Sequence, residues 1–118
     1  MPKLNVELLR KVKKHILEEP RRLDMGYWIH ATTASPCGTV ACLAGWTCIL
    51  SNVVPAFSLE AGELATPLLG LNERQKMSLF HTEHWPRELA EKYWNARTPG
   101  GRARATAKRI NLLIKEGR

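Results

Sequence analysis

Apolar residues recur at three- and four-residue intervals near the start of the chain, as they do along one face of an α-helix. They are Val6, Leu9, Val12, Ile16 and Leu17. Asn5 precedes them with a side chain suited to cap a first turn, and Pro20 follows them with a ring that a helix interior does not accommodate. The pattern predicts a helix from about Val6 to Glu19. We expect Lys13 at the edge of its apolar face, with the ammonium group extended to water.

The segment from Val40 to Leu50 has a different pattern, because apolar or small residues occupy every side of the helix that it would form. A helix of this kind is buried all round. Either Ser35-Pro36 or Thr39 is able to start it, since a hydroxyl caps free N–H groups and proline suits the first turn. We therefore predict that the stretch from Thr39 to Leu50 is the central and most buried helix of the fold.

Start and stop signals mark two shorter helices in the middle of the chain. Ser58 begins one that reaches Leu69, where Gly70 takes the usual stop position. Asn72 and Gln75 form a capping-box pattern for the next helix, which ends near His81.

Two more helices are predicted near the C-terminus. Trp85-Pro86 opens one that runs to about Trp94, and Thr98-Pro99 begins the last, which Gly117 ends. A strand-like pattern occurs only around Val53-Val54. The fold class that follows is all-α: a compact single-domain bundle of about five helices around the buried central helix, spanning residues 1–118.

Length and composition agree with this class. The chain has 118 residues, of which 44% are hydrophobic and 25% are charged, as in an ordinary globular domain. It has no continuous apolar segment of the length that a secretory signal or a membrane span needs. We therefore expect a cytoplasmic protein that does not associate with membranes.

Charge is distributed unevenly along the chain, whose formal net charge is +7. Residues 31–70 contain no Lys or Arg, whereas residues 97–118 carry seven basic residues and one acidic residue, Glu116. The basic charge thus lies at the two ends. A cationic end attracts nucleic acid, an anionic membrane surface or an acidic protein, and charge alone does not choose among them.

The last predicted helix carries its basic residues on defined sides. At 100° per residue, one stripe lies beside the apolar face that includes Ala107 and Ile110. Its members are Arg104, Lys108, Asn111 and Lys115. Arg102 and Arg109 flank the opposite edge of the apolar face, so both borders of the helix are predicted to be cationic. The stripe suits phosphate contacts, although a solvated amphipathic helix has the same pattern.

The chain contains four tryptophans, which in a small domain usually supply core area. We expect Trp46, inside the apolar segment, to be structural. Trp94 is the exception, because it lies beside Lys92 and Arg97, and an aromatic ring next to basic residues is able to stack on unpaired bases.

The run CGTVACLAGW at residues 37–46 resembles the core signature of a family of small uncharacterised proteins found in bacteria and phages. Weaker similarities extend over most of the chain, among them Leu69-Gly70-Leu71 and Trp85-Pro86. The resemblance implies a shared helical fold and a mobile-element setting. It implies no activity.

The chain also contains residue types that are used in thiol catalysis and in metal binding. Cys37 at a helix start has a thiol whose pKa the free N–H groups would lower, with His30 or His81 as a base, yet no recognisable Cys-His signature supports the pairing. His81 and His84 stand at i, i+3 spacing, but structural zinc sites use tighter cysteine pairs than this chain offers. We expect free thiols, no metal and no cofactor.

The sequence therefore predicts a non-enzymatic accessory or regulatory protein that binds nucleic acid or a nucleoprotein complex through its basic C-terminal helix. Two alternatives stay open. One is a protein-interaction module, such as a phage or defence-system factor, that docks on an acidic partner. The other is a small thiol enzyme that uses Cys37.

Overall fold

The computed structural model describes residues 4–25, 29–30, 40–53 and 60–118, and within them the fold is built of six α-helices. These are α1 (Val6–Glu18), α2 (Leu43–Leu50), α3 (Ala61–Leu69), α4 (Glu73–Phe80), α5 (Arg87–Asn95) and α6 (Pro99–Glu116). Two-residue strands, β1 (Ile29–His30) and β2 (Val40–Ala41), pair antiparallel. Short 3-10 turns occupy Pro20–Arg22 and Thr82–His84. The all-α class is confirmed.

Local signals place most helix starts where the sequence predicts them. The Asn5 side chain accepts a hydrogen bond from the Leu8 N–H at the start of α1. Asn72 and Gln75 form both hydrogen bonds of a capping box at the start of α4. The Thr98 hydroxyl accepts from the Gly101 N–H, which caps α6.

Two glycines end helices as predicted. Gly70 after α3 and Gly117 after α6 adopt the left-handed conformation that favours glycine, with φ of 69° and 74°. The predicted start of α3 at Ser58 lies outside the described residues.

The central helix α2 is buried as predicted, but it begins at Leu43 and not at Thr39. Val40 and Ala41 pair with His30 and Ile29 instead. The Ala41 carbonyl also accepts from the Asp24 N–H at 3.1 Å, and Cys42 is extended. The backbone groups of Val40 and Ala41 form hydrogen bonds with distant segments, so the helix starts after these residues. Every residue from Ala41 to Cys48 is buried.

The predicted starters of this helix, Ser35-Pro36 and Thr39, lie outside the described residues. Val53, where a strand-like pattern was noted, is not in a strand, and Val54 is also outside the described residues.

Buried tryptophan side chains donate hydrogen bonds that fix the turns beside α2 and after α4. The Trp46 indole N–H donates to the Arg22 carbonyl at 2.9 Å, and the Trp85 indole donates to the Leu79 carbonyl at 2.8 Å. Trp46 is thus a core residue, as predicted. On the outside of this core, α6 packs between α1 and α5. Among the described residues, no helix is both long and apolar enough to cross a membrane.

Candidate functional site

The cationic stripe of α6 lies on the protein surface. Arg104, Lys108, Asn111 and Lys115 are all exposed, whereas Ala103 and Ile110 are buried in the core. Helical geometry places the four exposed positions within about 60° of arc. No ion pair to Arg104, Lys108 or Lys115 occurs within the described residues. None of the three cations is therefore held by a carboxylate in that part of the chain.

The first turn of α6 adds to the positive charge of the stripe. It contains no acidic residue, although the N-terminus of a helix favours negative charge. The Arg104 guanidinium instead folds back over this turn, so that a Cβ built on Gly100 would lie 3.2 Å from Nη1 of Arg104. The absence of a side chain on Gly100 leaves the space that the guanidinium occupies. A cation and a helix N-terminus thus meet at one end of the stripe.

Lys13 joins the stripe from α1, at the other end of the sequence. Its Nζ donates a hydrogen bond to Oδ1 of Asn111 at 3.0 Å, at an exposed position. Exposed Arg10, three residues earlier on α1, lies on a neighbouring part of the same face. The two basic ends of the chain therefore form one surface, an adjacency that the sequence pattern alone did not reveal.

A groove of about 380 Å³ between α5 and α6 runs along the other side of the stripe. Its lining includes half-buried Leu89 and Leu112 together with Lys108 and Lys115. Glu88 on the α5 side also lines it, and this carboxylate pairs with Lys92 at 3.4 Å. The groove places apolar surface directly beside the ammonium groups of Lys108 and Lys115.

Arg109 does not belong to the cationic surface, which corrects the prediction that it forms a cationic border. Its exposed fraction is 0%. Its Nε and Nη2 donate to the Ser78 carbonyl at 3.3 and 3.1 Å, and Nη2 also contacts the Ser78 hydroxyl. Helix α4 covers this border of α6, and burial lowers the pKa of Arg109, with a smaller effect from Arg118. Arg102, on the same border, is partly buried.

Trp94 is exposed, as expected for the exception among the tryptophans, but it lies apart from the stripe. Its indole N–H donates to the Thr82 hydroxyl at 3.1 Å, on the side of α5 that faces the Thr82–His84 turn. Leu89, which lines the groove, is five residues earlier and so about 140° away around α5. The structure therefore places Trp94 near the α5–α6 corner and not in the groove.

The thiol and metal chemistries find no arrangement to support them in the described part of the chain. Burial raises the pKa of Cys42 to about 11 and also raises the pKa of Cys48, so burial disfavours the nucleophilic thiolate form of both. The rings of His81 and His84 lie edge to face with centroids 6.3 Å apart, and no group of three metal-ligating side chains occurs among the described residues. Cys37 and the His30 side chain lie outside them.

No protein-family model, curated protein or solved structure matches this chain. The resemblance of residues 37–46 to a bacterial and phage family therefore stays a prediction.

Proposed function

We propose that this protein is a non-enzymatic accessory or regulatory factor that binds nucleic acid through the surface formed by Arg104, Lys108, Lys115 and Lys13, here called the cationic surface. One observation carries the proposal. The three α6 cations are exposed on one side of the helix without ion-pair partners in the described residues. The sequence places no acidic residue between Glu91 and Glu116 to neutralise them.

Phosphate groups suit this surface for two physical reasons. Cations that are not already paired bind a phosphate without first losing a protein carboxylate, and they release the counterions condensed on the nucleic acid. The positive end of α6 beside Arg104 supplies further attraction for an anion. Because these contacts go to the backbone, we expect affinity without strong sequence preference.

The groove between α5 and α6 favours a second candidate function, docking of an acidic protein. Leu89 and Leu112 offer apolar surface next to Lys108 and Lys115. An amphipathic helix with carboxylates beside its apolar stripe would match both features. Such an interface would keep its selectivity at moderate salt, whereas phosphate contacts weaken steeply as salt rises.

Charge reversal on α6 tests the proposal. We expect Arg104→Glu/Lys108→Glu/Lys115→Glu to lower the affinity for a fluorescent oligonucleotide at least about a hundredfold at low salt, because each reversal replaces a phosphate contact with repulsion. The fold should survive, since all three side chains are exposed. Fluorescence anisotropy gives the affinity, and thermal unfolding checks the fold.

The matched control is Lys11→Glu/Arg21→Glu/Arg74→Glu, which changes net charge equally at exposed positions elsewhere. We expect it to lose much less affinity, because only the general attraction of a basic protein is weakened. Equal losses in the two variants would contradict a localised surface. A loss of acidic-protein binding with oligonucleotide binding unchanged would favour the second candidate.

A further inference from the structure

Trp94 is the most exposed large apolar residue among those described, with an exposed fraction of 59%. An exposed indole normally changes rotamer freely, but this one is held in place. Its N–H donates to the hydroxyl of Thr82, a buried residue, at 3.1 Å. Its ring also packs at a right angle to that of Tyr93, with centroids 4.9 Å apart and planes at 86°.

Tyr93 itself is fixed in the core. It is 1% exposed, and its ring meets Trp85 edge to face at 5.7 Å. The Tyr93 hydroxyl accepts a hydrogen bond from the Met25 N–H at 2.8 Å. Trp94 is therefore the outer member of a ladder of three rings, and much of the entropy cost of ordering its side chain is met when the protein folds. A ligand that stacks on the exposed ring binds a preorganised platform.

The charges around Trp94 indicate the kind of ligand. Arg97, three residues further on, is exposed and has no ion pair within the described residues. The nearby carboxylate of Glu91 is held by Arg87 at 3.0 Å. Arg97 thus supplies a positive charge close to the exposed ring. This environment attracts a planar neutral ring on an anionic backbone, which is the chemistry of a nucleotide in a strand.

We propose that Trp94 stacks on an unpaired nucleobase, so that the ligand of this protein is single-stranded nucleic acid. The inference rests on the proposed function, because the phosphates of the same strand would continue past the α5–α6 corner to Arg104 and the cationic surface. Trp94 adds a contact that a duplex cannot make, since the bases of a duplex are already stacked on one another. The platform therefore discriminates strand state, while the cationic surface supplies most of the attraction.

The experiment compares one fluorescent 20-nucleotide strand with the same strand in a duplex, for the wild type, Trp94→Ala and Trp94→Phe. We expect Trp94→Ala to weaken single-strand binding about tenfold, which lies in the range of one lost base–aromatic stack, and to leave duplex binding within about twofold. Trp94→Phe should retain most of the single-strand affinity, since a smaller ring still stacks.

Met77→Ala serves as the control, because it also removes an exposed apolar side chain, 43% accessible, from a different helix. We expect Met77→Ala to change neither affinity. Quenching of tryptophan fluorescence by an unlabelled strand should shrink in Trp94→Phe compared with the wild type, which a merely structural Trp94 would not produce. Thermal unfolding checks that each variant is folded.

The outcomes separate the two proposals. If the wild type binds neither strand nor duplex, the proposed function fails and this inference fails with it. If the wild type binds and Trp94→Ala loses nothing, or loses strand and duplex affinity equally, only the stacking inference is overturned.

Discussion

At the scale of single residues, the two borders of α6 differ in exposure because a neighbouring helix covers only one of them. Arg104, Lys108 and Lys115 are exposed, but Arg109 is buried. A helical period gives the angle of a side chain from the apolar face, and it does not say which neighbouring helix covers that border. Here α4 does, and the Ser78 carbonyl in its last turns accepts from the Arg109 guanidinium. The guanidinium is favourable there because the C-terminal end of a helix, here α4, carries partial negative charge.

His15 carries a second buried polar group, and it makes stability depend on pH. Its Nε2 is buried without a hydrogen-bond partner in the described part of the chain, and its ring lies 4.2 Å from the Trp46 ring. Burial lowers the pKa of His15, outweighing Glu19 and Glu18, which raise it, while Arg22 lowers it further. The neutral imidazole is therefore the form that the folded state favours.

We predict that the free energy of unfolding decreases as pH falls below about 6.5, the ordinary histidine pKa. Between this value and the lowered pKa of the folded state, the unfolded chain binds the proton more readily, so acidification stabilises the unfolded state by at most about 1.4 kcal/mol per pH unit. Well above pH 6.5 His15 is neutral in both states and contributes no slope. Urea titrations from pH 5 to 8 measure this, and His15→Gln should flatten the dependence. An unchanged slope in that variant would assign the effect to other groups.

At the scale of elements, the starts and ends that depend on a few neighbouring residues were predictable. The capping box at Asn72 and Gln75 and the Thr98 cap of α6 are local hydrogen bonds between residues three apart. The predicted start of α2 was wrong because the actual start is set by β2, which pairs with residues about ten positions away. A pattern of apolar residues has the same appearance whether its first members are helical or paired in a short strand.

Two adjacent glycines in the first turn of α6 give a matched prediction. We expect Gly100→Ala to raise the free energy of unfolding by up to about 1 kcal/mol, because alanine is the better helix former. Among the residues that the structure describes, its Cβ would meet only the Arg104 guanidinium at 3.2 Å, the movable end of a long side chain. We expect Gly101→Ala to lower stability instead. Its Cβ would lie 3.1 Å from the Ala96 Cβ and 3.3 Å from the Thr98 hydroxyl, which the connection and the cap hold in place.

Urea unfolding followed by circular dichroism measures both glycine variants. Because they make the same chemical change at neighbouring positions, propensity alone predicts equal effects. Equal stabilisation would contradict this prediction, because it would show that the structure accommodates a Cβ at position 101 without a loss of stability.

At the scale of the whole molecule, the cationic surface depends on the packing of α1 against α6. The sequence placed basic residues at both ends of the chain, but it could not tell whether the ends meet, because helical periodicity carries no information on contacts 98 residues apart. The hydrogen bond from Lys13 to Asn111 shows that they do. The cationic surface is thus a property of the tertiary fold, and a fragment containing α6 alone would lack part of it.

The last prediction separates this surface from the general attraction of a basic protein for polyanions. Lys13→Gln should reduce the steepness of log affinity against log salt by about one unit, because one phosphate contact and its released counterion are lost. Lys11→Gln removes the same charge two residues away, about 200° around α1, and should leave the steepness nearly unchanged. Asn111→Ala removes the hydrogen-bond partner of Lys13 without altering charge, and should change the steepness by much less than Lys13→Gln. Oligonucleotide titrations between about 50 and 200 mM salt, the range over which phosphate contacts weaken most visibly, measure all three. If Lys11→Gln and Lys13→Gln reduce the steepness equally, net charge governs the attraction, and α1 does not complete a surface with α6.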